Sequence, residues 1–549
     1  MEGSGPTPPP PPRGECLTLR RIRSLVPVGF KTEIRELCKL AGPVFIAQFM
    51  VFAVSLVSTI FCGHLGRTEL AGVSLAISII NVTGISIGSG LASACDTLIS
   101  QTFGGNNLMK VGVILQRAVL ILLLACFPCW AILVNTEPIL LAVKQEPKVA
   151  RLSQMYVNIF MPALPATFMY SLQARYLQNQ GIIWPQVITG VVVNLLNAVI
   201  NYIFLYLLMM GVAGSAIANT ISQFAMASTL YAYIMWKGLH KATWGGWSKE
   251  CLRDWGSFIN LAIPSMVMMC VEWWTYEIGG FLAGLISEVE LGAQAVLYEL
   301  ATVAYMFPLG FSIAGNVRVG NALGAGDTAQ AKLSAKLTIF CAVSTSICVS
   351  VFIGSLKNHI AYVFTEDQQI RNRVADIVVL YSPFVILDSV AASSGGIIRG
   401  AGKQKIGAIC NILGYYGIGF PIGVSLMFAA KMGIRGLWSG LITCVFLQAL
   451  FLMTYLTRMN WVKATGEAQI RAGVCERVTD ASPDPENSAG QTDIADLVLP
   501  EGELPAVKIA DAQRSFRTLV VRRGLIVALM LFILAAGIIL NLLITNLMT

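Results

Sequence analysis

The sequence contains little charge. Asp, Glu, Lys and Arg make up only 12% of its 549 residues, whereas 55% are hydrophobic. An average soluble domain is about one quarter charged, so this composition excludes an ordinary soluble protein and indicates a polytopic membrane protein. The net charge of +8 therefore does not indicate a nucleic-acid partner, because in such a protein the location of the basic residues matters more than their sum.

Signals of several other protein classes are missing. The thirteen cysteines have no even spacing, which disfavours a disulfide framework, and the Cys126/Cys129 pair lies in an apolar run where redox chemistry is not expected. Residues 1–14 are proline-rich without an apolar core, so we expect no cleavable signal peptide. The glycines of 319–327 follow an apolar run instead of a strand, and those of 400–403 lack the Ser or Thr of a phosphate loop. We expect a protein that is not an enzyme, with no cofactor and no bound metal.

Apolar runs that can cross about 30 Å of hydrocarbon recur along the chain. They predict an all-α polytopic protein with two six-helix lobes and a thirteenth helix. The predicted spans lie near 36–62, 70–95, 113–135, 152–175, 186–209, 212–236, 258–286, 291–314, 337–355, 374–397, 407–430, 434–457 and 524–546.

These spans divide the chain into six parts. We predict a disordered cytosolic tail at 1–33, an amino-terminal lobe at 34–236, a cytosolic linker at 237–257, a carboxy-terminal lobe at 258–458, a disordered cytosolic segment at 459–523 and the last helix at 524–549. The disorder prediction follows from a composition rich in Asp, Glu, Pro, Ala and Gly. Most Lys and Arg fall in alternate loops, which places the amino terminus in the cytosol and the carboxy terminus outside. The thirteenth helix is expected to face lipid without taking part in transport.

The two lobes share a register, which indicates an internal repeat. At an offset of 221 residues, Leu40, Ala41, Pro43, Gly63, Pro162 and Gly181 match Leu261, Ala262, Pro264, Gly284, Pro383 and Gly402, and Gly211 matches Gly433 one residue beyond that offset. Six spans return the chain to its starting side, so the repeats are expected to be related by a pseudo-two-fold axis along the membrane normal. Such repeats commonly move against each other around a central site.

Ionisable residues inside apolar spans point to the site. The apolar runs of the hairpin 271–305 carry Glu272, Glu277 and Glu299 and no basic residue, and Asp388 lies at the centre of a later span. Charged side chains at membrane depth cost several kcal/mol and usually mark a substrate or proton pathway. The equivalent positions of the amino-terminal lobe, at the offset of 221 residues, hold Val51, Leu56, Ser78 and Thr167. We therefore predict that the proton- and substrate-binding residues are these four acids of the carboxy-terminal lobe.

Aromatic residues accompany the acids. The predicted aromatic cleft consists of Trp273, Trp274, Tyr276, Tyr298 and Tyr305, whose rings can hold a flat or quaternary cation by cation–π contact. A carboxylate that holds a proton until a cation arrives gives the simplest exchange mechanism. The exchange of one proton for one monovalent cation moves no net charge. A pH gradient alone therefore drives this exchange, with about 1.4 kcal/mol of free energy per pH unit. The alternative is that some acids, above all Glu277 and Glu299, only form hydrogen bonds between helices.

Polar residues of the amino-terminal lobe are further candidates. Gln48, Asn81 and Asn194 are candidate polar residues of the cleft. Asn194 belongs to a stripe with Asn197 and Asn201, which either lines the cleft or joins helices. Asp96, near the cytosolic end of the second span, is expected to be a solvated or capping residue.

Long stretches of the sequence resemble the multidrug and toxin extrusion (MATE) family, in particular its vertebrate subtype-one proton/organic-cation antiporters. The resemblance covers nearly the whole chain and is carried by LAGPVFIAQFMVF (40–52), INVTG (80–84), SACDTLISQTFGG (93–105), KVGVILQRA (110–118), LPATFMYSLQARYLQNQG (164–181), ATWGGWS (242–248), VEWWTYE (271–277), VRVGNALGAGD (317–327) and KIGAICN (405–411). It implies a V-shaped fold, electroneutral export of organic cations in exchange for protons, and a location in the apical plasma membrane of epithelia.

The resemblance also assigns residues. The family's acidic site falls on Glu272, Glu277, Glu299 and Asp388, although vertebrate members usually have glutamate at the last position. Bacterial members carry an acid in the first helix, where this chain has Gln48, so no proton site is expected in that lobe. The expected partners are small organic cations, protons and the bilayer, with the protein a monomer. A lipid flippase or a sodium-coupled exporter of the same architecture is the alternative.

Overall fold

The computed structural model describes residues 29–474 and 504–548, and in these ranges it contains helices and no β-strand. The α-helices in chain order are α1 (Phe30–Gly63), α2 (Arg67–Ile80), α3 (Ser86–Ala92), α4 (Ala94–Gly104), α5 (Leu108–Val134), α6 (Thr136–Ala142), α7 (Pro147–Phe160), α8 (Leu164–Gln178), α9 (Trp184–Tyr202), α10 (Val212–Lys237), α11 (Trp255–Gly284), α12 (Glu288–Gly324), α13 (Thr328–Ser355), α14 (Gln368–Ala401), α15 (Gln404–Asn411), α16 (Phe420–Val424), α17 (Ile434–Arg458), α18 (Trp461–Ala472) and α19 (Leu504–Met548).

Eleven helical stretches of the described chain are long and apolar enough to cross a membrane. The two other predicted spans, 152–175 and 212–236, are also helical and correspond to α7–α8 and α10. They are less apolar because α7 carries Arg151 and Gln154 and α10 contains many Ala, Ser, Asn and Gln residues. The all-α polytopic architecture is thus confirmed, with helices at all thirteen predicted positions.

The structure corrects two predicted boundaries. Helix α1 begins at Phe30, within the predicted tail, and the predicted disordered segment 459–523 contains α18 and the beginning of α19. The disorder prediction is therefore wrong for 461–472 and from Leu504 onward. Its error has a physical reason: α18 buries Trp461, Ala464 and Ala468 against the lobes, so a few well-placed apolar residues outweighed the polar average. The remaining predicted disorder, at 1–28 and 475–503, lies outside the described residues.

Backbone conformation repeats between the two halves. Gly211 (φ 65°, ψ −139°) precedes α10, and Gly433 (φ 64°, ψ −143°) precedes α17. This region of φ/ψ space is open almost only to glycine. A five-residue π-helix lies shortly before each glycine, at Ile203–Leu207 and Ser425–Ala429. Equivalent positions therefore adopt equivalent structure, as the sequence register predicted.

Each half has its own hydrophobic core. The larger core extends along the chain from Cys62 to Ala262, and a second core extends from Val271 to Val445. The halves meet where α1 packs on α12, and where α3 and α4 pack on α11 and α12. Because α11 and α12 contribute to both lobe contacts and carry the hairpin acids, the candidate site lies beside the surface where the lobes meet.

Candidate functional site

Three long helices hold the four acids. Glu272 and Glu277 lie on α11, Glu299 lies on α12, and Asp388 lies on α14. Helices α12 and α14 pack closely along much of their length, and α11 contacts α12. Tertiary packing therefore brings all four carboxylates, which are up to 116 residues apart in sequence, into the same lobe.

Glu272 and Asp388 form an inner pair. The two carboxylates are close enough to interact electrostatically, and the Tyr305 hydroxyl hydrogen-bonds the Glu272 carboxylate. Only 9% of the Asp388 surface is exposed. Two carboxylates that share a buried site without a cation cannot both ionise cheaply, so such a site favours either a shared proton or a bound positive charge.

Glu277 and Glu299 share one neighbour, Tyr298. Each carboxylate is close enough to the Tyr298 hydroxyl to interact with it electrostatically, and the Tyr298 ring lies edge-on to Tyr276 at 6.3 Å between ring centroids. The Ser78 hydroxyl of the amino-terminal lobe hydrogen-bonds the Glu277 carboxylate. Glu277 therefore lies at the contact between the lobes, whereas the Glu272–Asp388 pair lies within one lobe.

No basic residue neutralises these acids directly. In the described ranges, none of the four carboxylates has a Lys, Arg or His nitrogen within 4.0 Å, whereas other acids such as Glu290 and Asp96 do. One basic residue is closer than its sequence position suggested: Arg399 interacts electrostatically with Glu272, while its Nη2 donates to the Ser312 hydroxyl at 3.0 Å. The inner pair thus has one cation nearby and no ion pair.

A cluster of aromatic rings packs behind the acids. Trp438 is fully buried and lies 5.4 Å from Tyr381, 5.3 Å from Phe384 and 6.5 Å from Tyr276, measured between ring centroids. Its indole Nε1 donates to Gln294 Oε1 at 3.0 Å. These bonds and contacts fix the ring of Tyr276, which interacts electrostatically with both Asp388 and Glu272.

Sequence reasoning missed three members of this cluster. Tyr381 and Phe384 precede Asp388 by seven and four residues, which places them on the same helix face, so this spacing was an available signal. Trp438 lies in a different span from every predicted residue, and nothing in its sequence neighbourhood distinguishes it from an ordinary buried tryptophan.

The predicted tryptophans take different positions. Trp274 reaches the other lobe, where its Nε1 donates to the Val82 carbonyl oxygen at 3.0 Å. Trp273, one residue earlier, has 37% of its surface exposed. The two side chains point about 100° apart around the helix, so only one of them can face the neighbouring lobe.

The amino-terminal candidates are neutral and mostly bonded to the backbone. Asn194 Nδ2 donates to the Met50 carbonyl oxygen at 2.8 Å, and Asn197 Nδ2 donates to the Val54 carbonyl oxygen at 3.1 Å. These bonds join α9 to α1, which is the helix-joining alternative for the stripe. Gln48 and Asn81 are half-buried, and Asn81 begins a π-helix of five residues.

Asp96 does not have the expected solvated position. Its side chain is 8% exposed and forms an ion pair with Arg175, while Asn179 Nδ2 donates to it at 3.4 Å. The expectation was wrong because it treated Asp96 as a helix-end residue, whereas α4 continues from it into the contact between the lobes. The carboxylate is buried there, and a buried charge requires a partner.

The lobes make a reciprocal contact near Asp96. A Cβ atom on Gly104 would overlap the Asn321 carbonyl oxygen, and a Cβ atom on Gly324 would overlap the Gln101 carbonyl oxygen. Gln101 and Gly104 match Asn321 and Gly324 at an offset of 220 residues, one residue short of the offset found for most of the repeat. Each lobe therefore presents the same pair of positions to the other, as a pseudo-two-fold axis requires.

Hydrogen bonds reinforce this contact. Thr97 donates to the Arg399 carbonyl oxygen, Gln101 Nε2 donates to the Gly400 carbonyl oxygen at 2.8 Å, and Asn316 Nδ2 donates to Asn179 Oδ1 at 3.2 Å. All three bonds link one lobe to the other. The ends of α4, α12 and α14 thus form a tightly packed, polar closure on the side of the molecule that bears α18.

Helix α18 binds both lobes across this closure. Lys403 Nζ lies 2.7 Å from Glu467 Oε2 on the carboxy-terminal side. On the amino-terminal side, Lys110 Nζ donates to the Arg471 carbonyl oxygen at 2.7 Å and Asn107 Nδ2 donates to the Ala472 carbonyl oxygen at 3.0 Å. Burial acts to raise the pKa of Glu467, but the hydrogen bond from Lys403 and the nearby positive charges outweigh it and hold that pKa below its ordinary value.

Comparison with known proteins agrees with the fold and the repeat. The model of the MatE family matches residues 43–203 and again 264–425, which together exceed half of the chain. The chain is 62% identical to multidrug and toxin extrusion protein 1 of Danio rerio over 95% of its own length and 92% of that protein. It is 50% identical to the Homo sapiens protein of the same name, covering 97% and 98% of the two chains.

Solved structures give the same result. The crystal structure of the eukaryotic MATE transporter AtDTX14 superposes with a TM-score of 0.78 at 29% identity, covering 81% of this chain and all of that one. A MOP superfamily transporter from Pyrococcus furiosus superposes with a TM-score of 0.70 at 18% identity, over 79% and 97% of the two chains. The V-shaped arrangement of two six-helix lobes is therefore shared.

Proposed function

The chain belongs to the MATE family of multidrug and toxin extrusion transporters, and we propose that it exports small organic cations in exchange for protons. The observation that carries this proposal is the set of four membrane-embedded carboxylates without an ion-pair partner in the described chain. A site with excess negative charge and aromatic walls favours either protons or an organic cation.

The inner pair is the proposed exchange site. Glu272 and Asp388 hold one or more protons when no substrate is bound, and the arriving cation displaces them. Tyr305 orients Glu272 through its hydroxyl, and Tyr276 presents its ring beside both carboxylates. Arg399 sets the charge balance, because its single positive charge offsets only part of the two negative charges.

The reciprocal closure is the proposed cytosolic gate. In this state the Gly104–Asn321 and Gly324–Gln101 contacts seal the side that bears α18. Movement of one lobe against the other would break these contacts and expose the site to the cytosol, as in other transporters built from repeats. We place the protein in the plasma membrane, with the amino terminus and α18 in the cytosol and the carboxy terminus outside the cell. In this orientation most Lys and Arg residues lie on the cytosolic side.

Vesicles provide the test. Purified protein is reconstituted with an acidic lumen, and uptake of labelled tetraethylammonium is followed with and without the pH gradient. We expect the gradient to stimulate uptake and Glu272→Gln to abolish it. The matched control is Glu288→Gln, which makes the same change at an exposed position of the same hairpin. Wild-type uptake by Glu272→Gln would remove the central residue of the proposal.

Replacing sodium in the same assay separates the alternatives. Uptake that requires sodium, and not the pH gradient, would indicate a sodium-coupled exporter. A lipid flippase is less favoured, since the four unpaired carboxylates would repel an anionic headgroup. Transfer of labelled lipid without any uptake of cation would support the flippase instead.

A further inference from the structure

The last helix leaves an apolar cavity between itself and the amino-terminal lobe. A cavity of about 300 Å³ lies between α5, the linker end of α11 and α19. Among the residues that line it are Leu123, Phe127 and Trp130 from α5 and Val527 from α19. The lining is hydrophobic except at one end, where Arg523 is located.

Polar contacts fix α19 beside this cavity. Asn135 Nδ2 donates to the Gly537 carbonyl oxygen at 3.1 Å, and Asn541 Nδ2 donates to the Val134 carbonyl oxygen at 3.1 Å. Gly537 also packs on Ala131 so closely that a Cβ atom would lie 2.8 Å from the alanine Cβ. These contacts hold α19 near its far end, and the cavity lies toward Arg523.

Arg523 closes the end of the cavity nearest the linker. Its guanidinium stacks 4.3 Å from the Trp255 ring centroid, and its Nε donates to the Leu252 carbonyl oxygen at 3.0 Å. Within the described ranges, no carboxylate lies within ion-pair distance of it and its Nη atoms have no hydrogen-bond partner. The guanidinium is thus held in place with its charge unneutralised.

The surrounding charge is basic as well. Arg522 adjoins Arg523, and the buried Arg117 of α5 interacts electrostatically with it. The acids in this neighbourhood are Asp254 and Glu250, and their negative charges interact electrostatically with Arg117. A guanidinium without a carboxylate, at the end of an apolar cavity in a membrane protein, matches an amphiphile with an anionic head and a hydrocarbon tail.

We propose that this cavity binds one anionic glycerophospholipid. The acyl chain lies between Phe127, Trp130 and Val527, and the phosphate contacts the Nη atoms of Arg523. The lipid comes from the leaflet on the linker side, which is the cytosolic one in the orientation given above. It fills the gap between α19 and the lobe and thereby adds to the direct contacts that hold the last helix.

Native mass spectrometry of the full-length protein tests this. The protein is reconstituted in vesicles with equal amounts of phosphatidylglycerol and phosphatidylcholine, extracted mildly, and the ratio of the two retained lipids is measured. Wild type is expected to retain one phosphatidylglycerol in preference to phosphatidylcholine. Arg523→Gln should reduce that preference about fivefold, the effect of losing one basic residue near an anionic lipid.

Three further variants make the result specific. Arg522→Gln removes the same charge from an exposed neighbour that does not line the cavity, and it should reduce the preference clearly less than Arg523→Gln does. Arg523→Lys keeps the positive charge, so it should retain most of the preference for phosphatidylglycerol. Val527→Trp fills the cavity from the lipid-facing helix and should reduce retention of both lipids.

Several outcomes would overturn the proposal. Equal retention of the two lipids by wild type would show that no anionic site exists. An unchanged preference in Arg523→Gln would exclude Arg523 as the headgroup contact, and unchanged retention in Val527→Trp would place the lipid elsewhere. If Arg523→Gln does not fold, Arg523→Lys and Val527→Trp still decide. The proposal is independent of the proposed cation exchange, since lipid retention is measured without transport.

Discussion

The reciprocal closure makes a quantitative prediction for Gly104→Ala. The added methyl group would lie 2.6 Å from the Asn321 Cα and 2.7 Å from its carbonyl carbon. Carbon atoms pack best at about 3.5–4.0 Å, and backbone atoms cannot rotate away, so α4 and α12 would have to separate by roughly 1 Å. Overpacking of this kind costs about 1–3 kcal/mol. Because only the closed state contains the contact, the cost shifts the equilibrium toward the open state by about 5- to 150-fold.

Thiol labelling from the cytosolic side measures this shift. Ser100→Cys places a buried thiol in the closure, in a background where the exposed Cys38 and Cys348 are replaced by serine, together with Cys16 and Cys475, which lie outside the described residues. Addition of Gly104→Ala should accelerate labelling by a membrane-impermeant maleimide in inside-out vesicles. It should also slow gradient-driven uptake, because return to the closed state becomes unfavourable.

Two glycine variants test the reasoning behind this prediction. Gly324→Ala should have the same effect, since its methyl group would overlap the Gln101 carbonyl oxygen. Gly63→Ala makes the same change at the end of α1, where no atom lies within 4 Å of the added methyl group, and it should change neither rate. Wild-type labelling and uptake in both Gly104→Ala and Gly324→Ala would refute the idea that the cycle passes through this contact.

Three further predictions address the site, α18 and α19. Asp388→Asn should abolish gradient-driven uptake of tetraethylammonium while membrane insertion persists, and uptake equal to wild type would show that Glu272 suffices. Glu467→Gln should increase hydrogen exchange in α18 at neutral pH. Because the folded-state pKa of Glu467 lies below its ordinary value of 4.5, its stabilising contribution is present above pH 4.5 and is lost as the pH falls, so the difference between variant and wild type should vanish in acid. Asn541→Leu should loosen α19 because it removes the hydrogen bond to the Val134 carbonyl oxygen, seen as faster proteolysis between α18 and α19; proteolysis at the wild-type rate would contradict this role.

The helices and the repeat could be predicted from sequence because each depends on local properties. Apolar length alone identifies a membrane span, and the paired glycines Gly211 and Gly433 mark a backbone conformation that other residues avoid. The prediction failed where a short segment depends on tertiary contact. Helix α18 is polar on average, and it is ordered by contacts with Lys110 and Lys403, which belong to different lobes.

The four candidate acids could be chosen from sequence, whereas their arrangement relative to one another could not. A carboxylate inside an apolar run is conspicuous at any position. The pairing of Glu272 with Asp388, and the placement of Glu277 and Glu299 around Tyr298, depend on how α11, α12 and α14 pack. The same packing brings Arg399 near Glu272, although Arg399 follows Asp388 by eleven residues, about three helical turns along α14. The periodicity of a single helix shows which residues share a face, but it gives no information on the distances between residues of different helices.

The difference between the lobes explains how a repeat can serve an exchange mechanism. The position equivalent to Asp388 is Thr167, whose hydroxyl donates to the Ala163 carbonyl oxygen at 3.0 Å and is thus satisfied without a proton from solution. Among the four acids in the described chain, Glu277 is the one bonded to the other lobe, through the Ser78 hydroxyl. A carboxylate at this position accepts that bond best when it is ionised. In the proposed exchange, protonation of Glu277 would therefore alter a contact with the other lobe, which would link proton occupancy to lobe movement.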